Sequence, residues 1–187
     1  MKYDVIIVGA GPAGIFSALE LTEKNNLNVL ILDRGPDIDQ RKCPSSRGFE
    51  CVHCEPCSVL SGWGGAGAYS DGKLTLSTEV GGWLNQYVSQ KELKTLVGYV
   101  DSVYLKYGAS EQVYGGDVEK VDEIERKASL AGLKLIRQKV RHMGTEKCRE
   151  TLRRMRRELN SKITFQPKTD VKGIHAGDGS IHKCRAS

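Results

Sequence analysis

Three glycines and one acid carry the clearest chemistry in this chain of 187 residues. Gly9-Ala10-Gly11-Pro12-Ala13-Gly14 is a G-x-G-x-x-G run directly after the apolar stretch Val5 to Val8. A second apolar stretch, Val29 to Leu32, ends at Asp33. In this order Gly9 permits a tight turn, Gly11 leaves the backbone bare before a pyrophosphate, and Gly14 lets a helix pack close to the strand. The free N–H groups and positive dipole end of that helix favour a doubly charged phosphate bridge, with Pro12 and Ala13 completing the loop. Asp33 is placed to accept hydrogen bonds from the ribose hydroxyls of an adenosine. A glycine-rich turn without a ligand needs none of the flanking strand, helix, strand and terminal acid, and this context favours dinucleotide binding.

Cys51-Val52-His53-Cys54-Glu55-Pro56-Cys57 is a C-x2-C-x2-C run, and Cys43-Pro44 lies eight positions before it. Thiolates at such spacing on a turn can converge on one metal. Three of them plus a remote fourth, Cys43, is the ligand pattern of ferredoxin-like iron–sulfur sites. Zinc takes the same thiolates, though more often as two separated pairs. Two of these cysteines would instead suffice for a redox dithiol, and incidental thiols are the third reading. Cys148 falls on an apolar helical face and belongs to a core; Cys184 lies near the carboxyl end.

Between Ser61 and Lys73 stand five glycines and few large side chains. Such a loop offers inward-facing backbone N–H groups, with Lys73 as a mobile cation suited to a pyrophosphate. The competing reading is an ion pair of Asp71 with Lys73 that serves only the fold. Trp63 and Tyr69 are read as packing or as flanks of a planar ligand.

These residues need elements to hold them. Val5 to Val8 and Val29 to Leu32 read as short strands, the first of them buried on both faces, joined by a helix. Residues 36–82 form a Cys/Gly-rich loop without periodicity, and long loops of this kind are usually functional. A mainly helical excursion spans residues 89–160. Its first helix carries Leu93, Leu96, Val97, Val100, Val103, Tyr104 and Tyr107 on one face, and its second runs from about Asp117 to Ala131 with Gly132 as its left-handed cap. The alternation from Leu133 to Val140 reads as a strand. Thr145 caps a third helix with Cys148, Leu152, Met155 and Leu159 on one face. Arg149, Arg153, Arg154, Arg156 and Arg157 give that helix a basic outer side, interleaved with Glu146, Glu150 and Glu158, which reads as a solvated or docking face. Ile163 to Phe165 and Thr169 to Ile174 read as strands, residues 1–176 as one domain, and residues 177–187 as an irregular tail.

The formal charge of +5 is mild, and no recognition fold accompanies the arginines, so nucleic acid is not an expected partner. No apolar run approaches a membrane span, and the first strand starts too early to leave room for a signal peptide. Six cysteines without an export signal point to a reducing compartment, with cytoplasm as the expected location.

Gly64-Gly65-Ala66-Gly67-Ala68-Tyr69-Ser70-Asp71-Gly72-Lys73-Leu74, after the nucleotide unit and the cysteine cluster, resembles the N-terminal part of the uncharacterised FAD-dependent dehydrogenases. The resemblance covers residues 1 to about 176. It implies a Rossmann-like FAD/NAD(P)-binding α/β domain with a parallel sheet, a helical excursion and the start of a β-meander. It implies that the first unit binds the AMP half of FAD and that Gly65, Ala66, Gly67 and Lys73 approach the pyrophosphate and the flavin. It further implies that the main chain of Val171 borders the adenine. Ala18 and Asp33-Arg34-Gly35 favour FAD over NAD, as in these flavoproteins. Members of the family are much longer and carry a later glycine-rich strand and a substrate domain, so the expectation is an N-terminal fragment. The implied activity is flavin-dependent oxidoreduction with a small-molecule substrate or electron carrier, NAD(P)H being a candidate donor or acceptor. The alternatives are a non-catalytic nucleotide-binding module with a structural zinc or iron–sulfur cluster, and an NAD(P)H-dependent flavin disulfide reductase. No catalytic residue is assigned.

Overall fold

The structure, a computed structural model, describes residues 2–24, 26–177 and 180–187. Two compact units divide the chain: Met1–Ser70 with Leu152–Ser187, and Asp71–Thr151.

In the first unit β1 (Val5–Val8) pairs in parallel with β2 (Val29–Leu32), which pairs in parallel with β6 (Ile163–Gln166). The order β1-β2-β6 makes β2 central, and all four of its residues are buried. That is why its sequence is apolar without interruption: a central parallel strand has no solvent face. β1 departs from the same expectation. Ile6 is 39% and Val8 55% exposed, because β1 is an edge strand among the described residues and only one of its faces is covered. The covering element is α1 (Pro12–Lys24), whose Ile15 and Ala18, one turn apart, are fully buried. Complete burial of Ile15 or Ile31 contributes about 1.5–3 kcal/mol each.

The last part of α4 (Thr145–Leu159) belongs to this unit and buries Leu152, Met155 and Leu159. Trp63 is fully buried beside it: the indole N–H donates to the Leu152 carbonyl at 3.0 Å, and Phe165 of β6 meets the ring edge-on at 5.1 Å. The basic side of α4 is not wholly a solvated face. Arg156 lies 5.3 Å from the Trp63 ring centre and 5.0 Å from that of Phe165, and donates to Asp37 at 3.0 Å. Arg153 donates to Asp39 at 2.6 Å. These arginines follow Trp63 and the acids of the 36–82 loop and the Phe165 ring of β6, which helix periodicity does not register.

β7 (Val171–Gly177) and β8 (Ser180–Ala186) form an antiparallel hairpin. Ser180–Ala186, expected to lie in an irregular tail, thus form a strand. An antiparallel ladder is made by main-chain groups, such as the reciprocal Asp170 and Ser187 bonds at 2.9 and 3.0 Å, and needs no apolar alternation.

In the second unit Ser89 and Glu92 form a capping box at the start of α2 (Gln90–Lys106), and the Ser89 hydroxyl and N–H hold the Glu92 carboxyl below its usual range. Asp117 caps α3 (Val118–Leu130) by accepting from the Lys120 N–H at 3.2 Å, and Gly132 follows with φ +72°. A small antiparallel sheet has the order β3 (Lys73–Thr75), β5 (Val140–His142), β4 (Val113–Tyr114). Only the last residue of the alternating stretch Leu133 to Val140 enters it. Leu133 and Ile136 are 66% and 61% exposed, since β3 and β4 pair only with residues 140–142 and an alternating segment without a partner strand makes no ladder. Arg141 is buried in β5 and grips both Asp101 oxygens, at 2.6 and 2.8 Å, and the Ser110 carbonyl at 2.5 Å. Among the described residues no helix is long and apolar enough to cross a membrane.

Candidate cofactor cradle

The turn from β1 into α1 is built as its glycines require. Gly9 has φ +103°, a region that side chains disfavour, and its N–H donates to the Leu32 carbonyl at 2.7 Å. A Cβ on Gly14 would lie 2.0 Å from the Gly9 oxygen and 3.1 Å from Ile7 Cγ2, so helix and strand meet at hydrogen-atom distance. Gly11 is different: nothing lies within 4 Å of where its Cβ would be. Its bare face is open. The amides of Ala13 and Gly14 fall in the first turn of α1, where no preceding helical carbonyl can take them, and Pro12 has no N–H to lose. A helix start with free amides of this kind is suited to an anion such as a diphosphate.

Asp33 closes the other side. It is buried, and its carboxylate accepts three main-chain amides: Ala10 N–H at 2.7 Å on Oδ2, and Gly35 and Gly62 N–H at 2.8 and 2.7 Å on Oδ1. With two donors Oδ1 is saturated, whereas Oδ2 keeps one lone-pair direction for a hydroxyl. Asp33 thus joins the phosphate loop, the end of β2 and the glycine-rich segment at one group.

That segment reaches the cradle directly. The Gly64 N–H donates to the Ala10 carbonyl at 2.7 Å. A Cβ on Gly65 would stand 3.2 Å from Gly11 Cα, and one on Gly67 3.9 Å from Pro12 Cγ. Ala66 lies between them in the short 3-10 turn Gly65–Tyr69. The chain crosses itself at Gly35 and Gly62: a Cβ on Gly35 would sit 2.3 Å from Gly62 N, and one on Gly62 2.3 Å from the Pro36 oxygen. Arg34 donates to the Ser61 hydroxyl at 3.0 Å. The Gly65–Gly67 run and the Gly9–Gly14 loop, separate in sequence, are adjacent in space.

Arg41 holds this arrangement from behind, a role the sequence did not disclose. It is 1% exposed. Its guanidinium donates to the carbonyls of Ser58, Val59, Trp63 and Gly65 through five hydrogen bonds of 2.7–3.1 Å, and it lies 5.1 Å from the Tyr69 ring centre. Backbone carbonyls carry no residue-type signature, so no pattern of side chains pointed to it.

Val171 opens β7 shortly after a run tied to the acid end of β2: the Thr169 N–H donates to the Asp33 carbonyl at 2.8 Å and the Lys168 N–H to that of Gly35 at 2.9 Å. Lys73 belongs to the second unit, where it pairs with Asp71 at 2.8 Å, both side chains more than half exposed. That ion pair holds the Asp71 carboxyl below its ordinary range.

Among the described residues Cys43, Cys51, Cys54 and Cys57 are not gathered into a tetrathiolate. Among the described residues no three His, Cys, Asp or Glu side chains are grouped to hold a metal ion. Cys43 is buried and Cys51 exposed, while Cys54 and Cys57 are half-buried; all four are free of disulfide bonds. The Cys54 sulfur lies 3.8 Å from the Ser58 hydroxyl oxygen. Hydrogen bonds from the Ser58 N–H and hydroxyl, and from Cys57, push the Cys54 thiol below the usual thiol range.

A family model described as an FAD binding domain matches residues 4–42, the segment that contains the cradle loop, α1, β2 and Asp33. An uncharacterized protein of Clostridium beijerinckii (strain ATCC 51743 / NCIMB 8052) is 41% identical over 76 residues, which are 40% of this chain and 14% of that protein. Glycine oxidase from Bacillus cereus ATCC 14579 superposes with a TM-score of 0.50 at 14% identity, covering all of this chain and 53% of its own. The Mycobacterium smegmatis Sdh1 complex in its apo form gives a TM-score of 0.50 at 17% identity, over 98% of this chain and 30% of that one. The chain therefore spans a minor part of the curated relative and about half or less of these two structures. The fold is a Rossmann-like α/β fold, and the family match falls on its N-terminal segment, residues 4–42.

Proposed function

We propose that the chain is the FAD-binding portion of a flavin-dependent oxidoreductase of the dehydrogenase type, close to the uncharacterised FAD-dependent dehydrogenases that its Gly64 to Leu74 stretch resembles. The observation that carries this reading is the contrast around the cradle. Gly9, Gly14 and Gly65 are held by contacts or conformations that leave no place for a side chain, while the face of Gly11 between them is open. A fold-only turn needs the crowded glycines but not the open one.

The residues fit FAD as follows. The Ala13 and Gly14 amides at the start of α1 bind the diphosphate, and the bare Gly11 lets it approach. The remaining acceptor direction of Asp33 Oδ2 takes a ribose hydroxyl, and the main chain at Val171 borders the adenine. Gly65 to Gly67, packed against Gly11 and Pro12, border the diphosphate. Bound FAD supplies two-electron redox chemistry at its ring, accepting a hydride or an electron pair. The protein's own part is to fix position: the donors are preorganised, so no loop must be ordered when the anion arrives. A small-molecule substrate or an electron carrier is the expected redox partner.

The test is direct titration of the purified chain with FAD, followed by quenching of flavin fluorescence. Saturable one-to-one binding that ADP displaces supports the reading. Binding of neither FAD nor ADP removes it.

A further inference from the structure

Resting on that reading, we infer that Arg41 is a positioning residue for the cofactor: it sets the glycine-rich wall of the cradle without reaching the ligand face. Three observations carry the inference. First, five hydrogen bonds of the guanidinium end on carbonyls of residues 58–65; one of those carbonyls belongs to Gly65, which packs against Gly11, and another to Trp63, which precedes the Gly64 amide. Second, these bonds fix which way the peptide groups face. With the Trp63 and Gly65 carbonyls drawn to Arg41, the Gly64 N–H is directed to the Ala10 carbonyl, inside the cofactor loop. Third, Asp33 takes the opposite pole of the same segment by accepting the Gly62 N–H. An anion and a cation thus hold alternate polar groups of one glycine-rich stretch of chain.

The chemistry of arginine matters here. A guanidinium offers five N–H donors in a fixed planar fork, and these five bonds can be made at once only by that shape. A lysine keeps the charge but has three donors on one point, and cannot span Ser58 to Gly65. Burying the guanidinium at 1% exposure is costly unless every donor is satisfied, so the pocket of carbonyls is built for it. Arg41 also brings a permanent positive charge behind the wall that a diphosphate would meet. The inference predicts that geometry dominates over this charge.

The experiment uses the full chain and FAD as the probe, with Arg41→Lys and Arg41→Ala beside the wild type. Dissociation constants come from flavin fluorescence, and the visible circular dichroism of bound flavin reports its orientation. The expected result is FAD binding weaker by about tenfold or more in both variants, which is about 1.4 kcal/mol or more, with an altered flavin dichroism. Ethylguanidinium added to Arg41→Ala restores part of the affinity and the wild-type dichroism, an effect that general loss of stability would not give. Should Arg41→Ala fail to fold, Arg41→Lys decides by the same two readouts. Wild-type affinity and dichroism in Arg41→Lys overturn the inference, as does weakened Arg41→Ala that ethylguanidinium leaves unchanged. A wild-type chain that does not bind FAD would instead reject the cofactor reading itself, so the two failures are distinguishable.

Discussion

The Asp33 carboxylate accepts the Gly62 N–H at 2.7 Å, across 29 positions of sequence. The same oxygen takes the Gly35 N–H, and its partner oxygen takes that of Ala10. One buried acid therefore fastens three backbone segments that would otherwise leave amides without acceptors.

Replacing Asp33 by alanine is expected to destabilise the chain by about 3 kcal/mol or more, since each buried amide left without an acceptor costs about 1–3 kcal/mol. Asp33→Asn, which keeps the volume but turns an NH2 toward one of the amides, is expected to cost nearly as much. Urea unfolding of both variants measures this. A change below about 0.5 kcal/mol, the size of an ordinary surface substitution, would contradict the role of Asp33 as a fastening point.

Gly14→Ala tests the close contact of helix and strand. Its Cβ would lie 2.0 Å from the Gly9 oxygen, so backbone must move. Overpacking of this kind costs about 1–3 kcal/mol, and FAD affinity should fall with stability because the displaced group is the cradle itself. Thermal unfolding and FAD titration of the variant check both effects.

The nucleotide unit was legible in the sequence because its determinants are local: the turn at Gly9, the helix after Pro12 and the acid after β2 lie within one short segment. The same holds for the helices capped by Ser89 and Asp117, where a capping residue and an apolar period agree. What was hidden depends on partners distant in sequence. Ile6 and Val8 look like core residues until β1 proves to be an edge. Leu133 to Lys139 alternates like a strand, but among the described residues no strand pairs with it. Arg41 and Asp33 act on peptide groups, which every residue has, so residue types could not reveal what they hold. The spacing of Cys43, Cys51, Cys54 and Cys57 suits a shared ligand, yet among the described residues they are not grouped to hold a metal ion.

Arg156 is expected to contribute to the first unit through packing as well as charge. Removing it in Arg156→Ala takes a cation from two aromatic faces and a donor from Asp37. A loss of roughly 1–2 kcal/mol is expected, and Arg156→Lys should recover only part of it, because a lysine stacks poorly on two rings. Chemical unfolding of the three proteins provides the comparison.

In the second unit the Arg141 to Asp101 pair is the buried polar link. Arg141→Met leaves Asp101 without its cation and is expected to cost about 3–5 kcal/mol, whereas the double change with Asp101→Leu should cost less than the single one. Proteolysis within residues 71–151 and unfolding by urea would show the difference.

Cys54 should be the reactive thiol of the cluster. Its pKa is lowered, so the thiolate is populated at lower pH than an ordinary cysteine and is lost only when pH falls below that shifted value. The rate of alkylation by iodoacetamide at Cys54 should therefore rise with pH to a midpoint below the ordinary thiol value of about 8.5. Buried Cys43 should lag behind it. Mass spectrometry of partly alkylated protein separates the sites, and a Cys43 rate equal to that of Cys54 would contradict the structure.

The central claim is that the open face of Gly11 receives the diphosphate of FAD. Its most direct test is FAD titration of Gly11→Glu beside the wild type, with the melting temperature of each apo-protein measured in parallel. No atom lies within 4 Å of the Gly11 Cβ position, so the variant should fold and melt like the wild type while losing at least about tenfold in FAD affinity, equivalent to about 1.4 kcal/mol. Equal FAD affinity in the two proteins would show that the cofactor is held elsewhere.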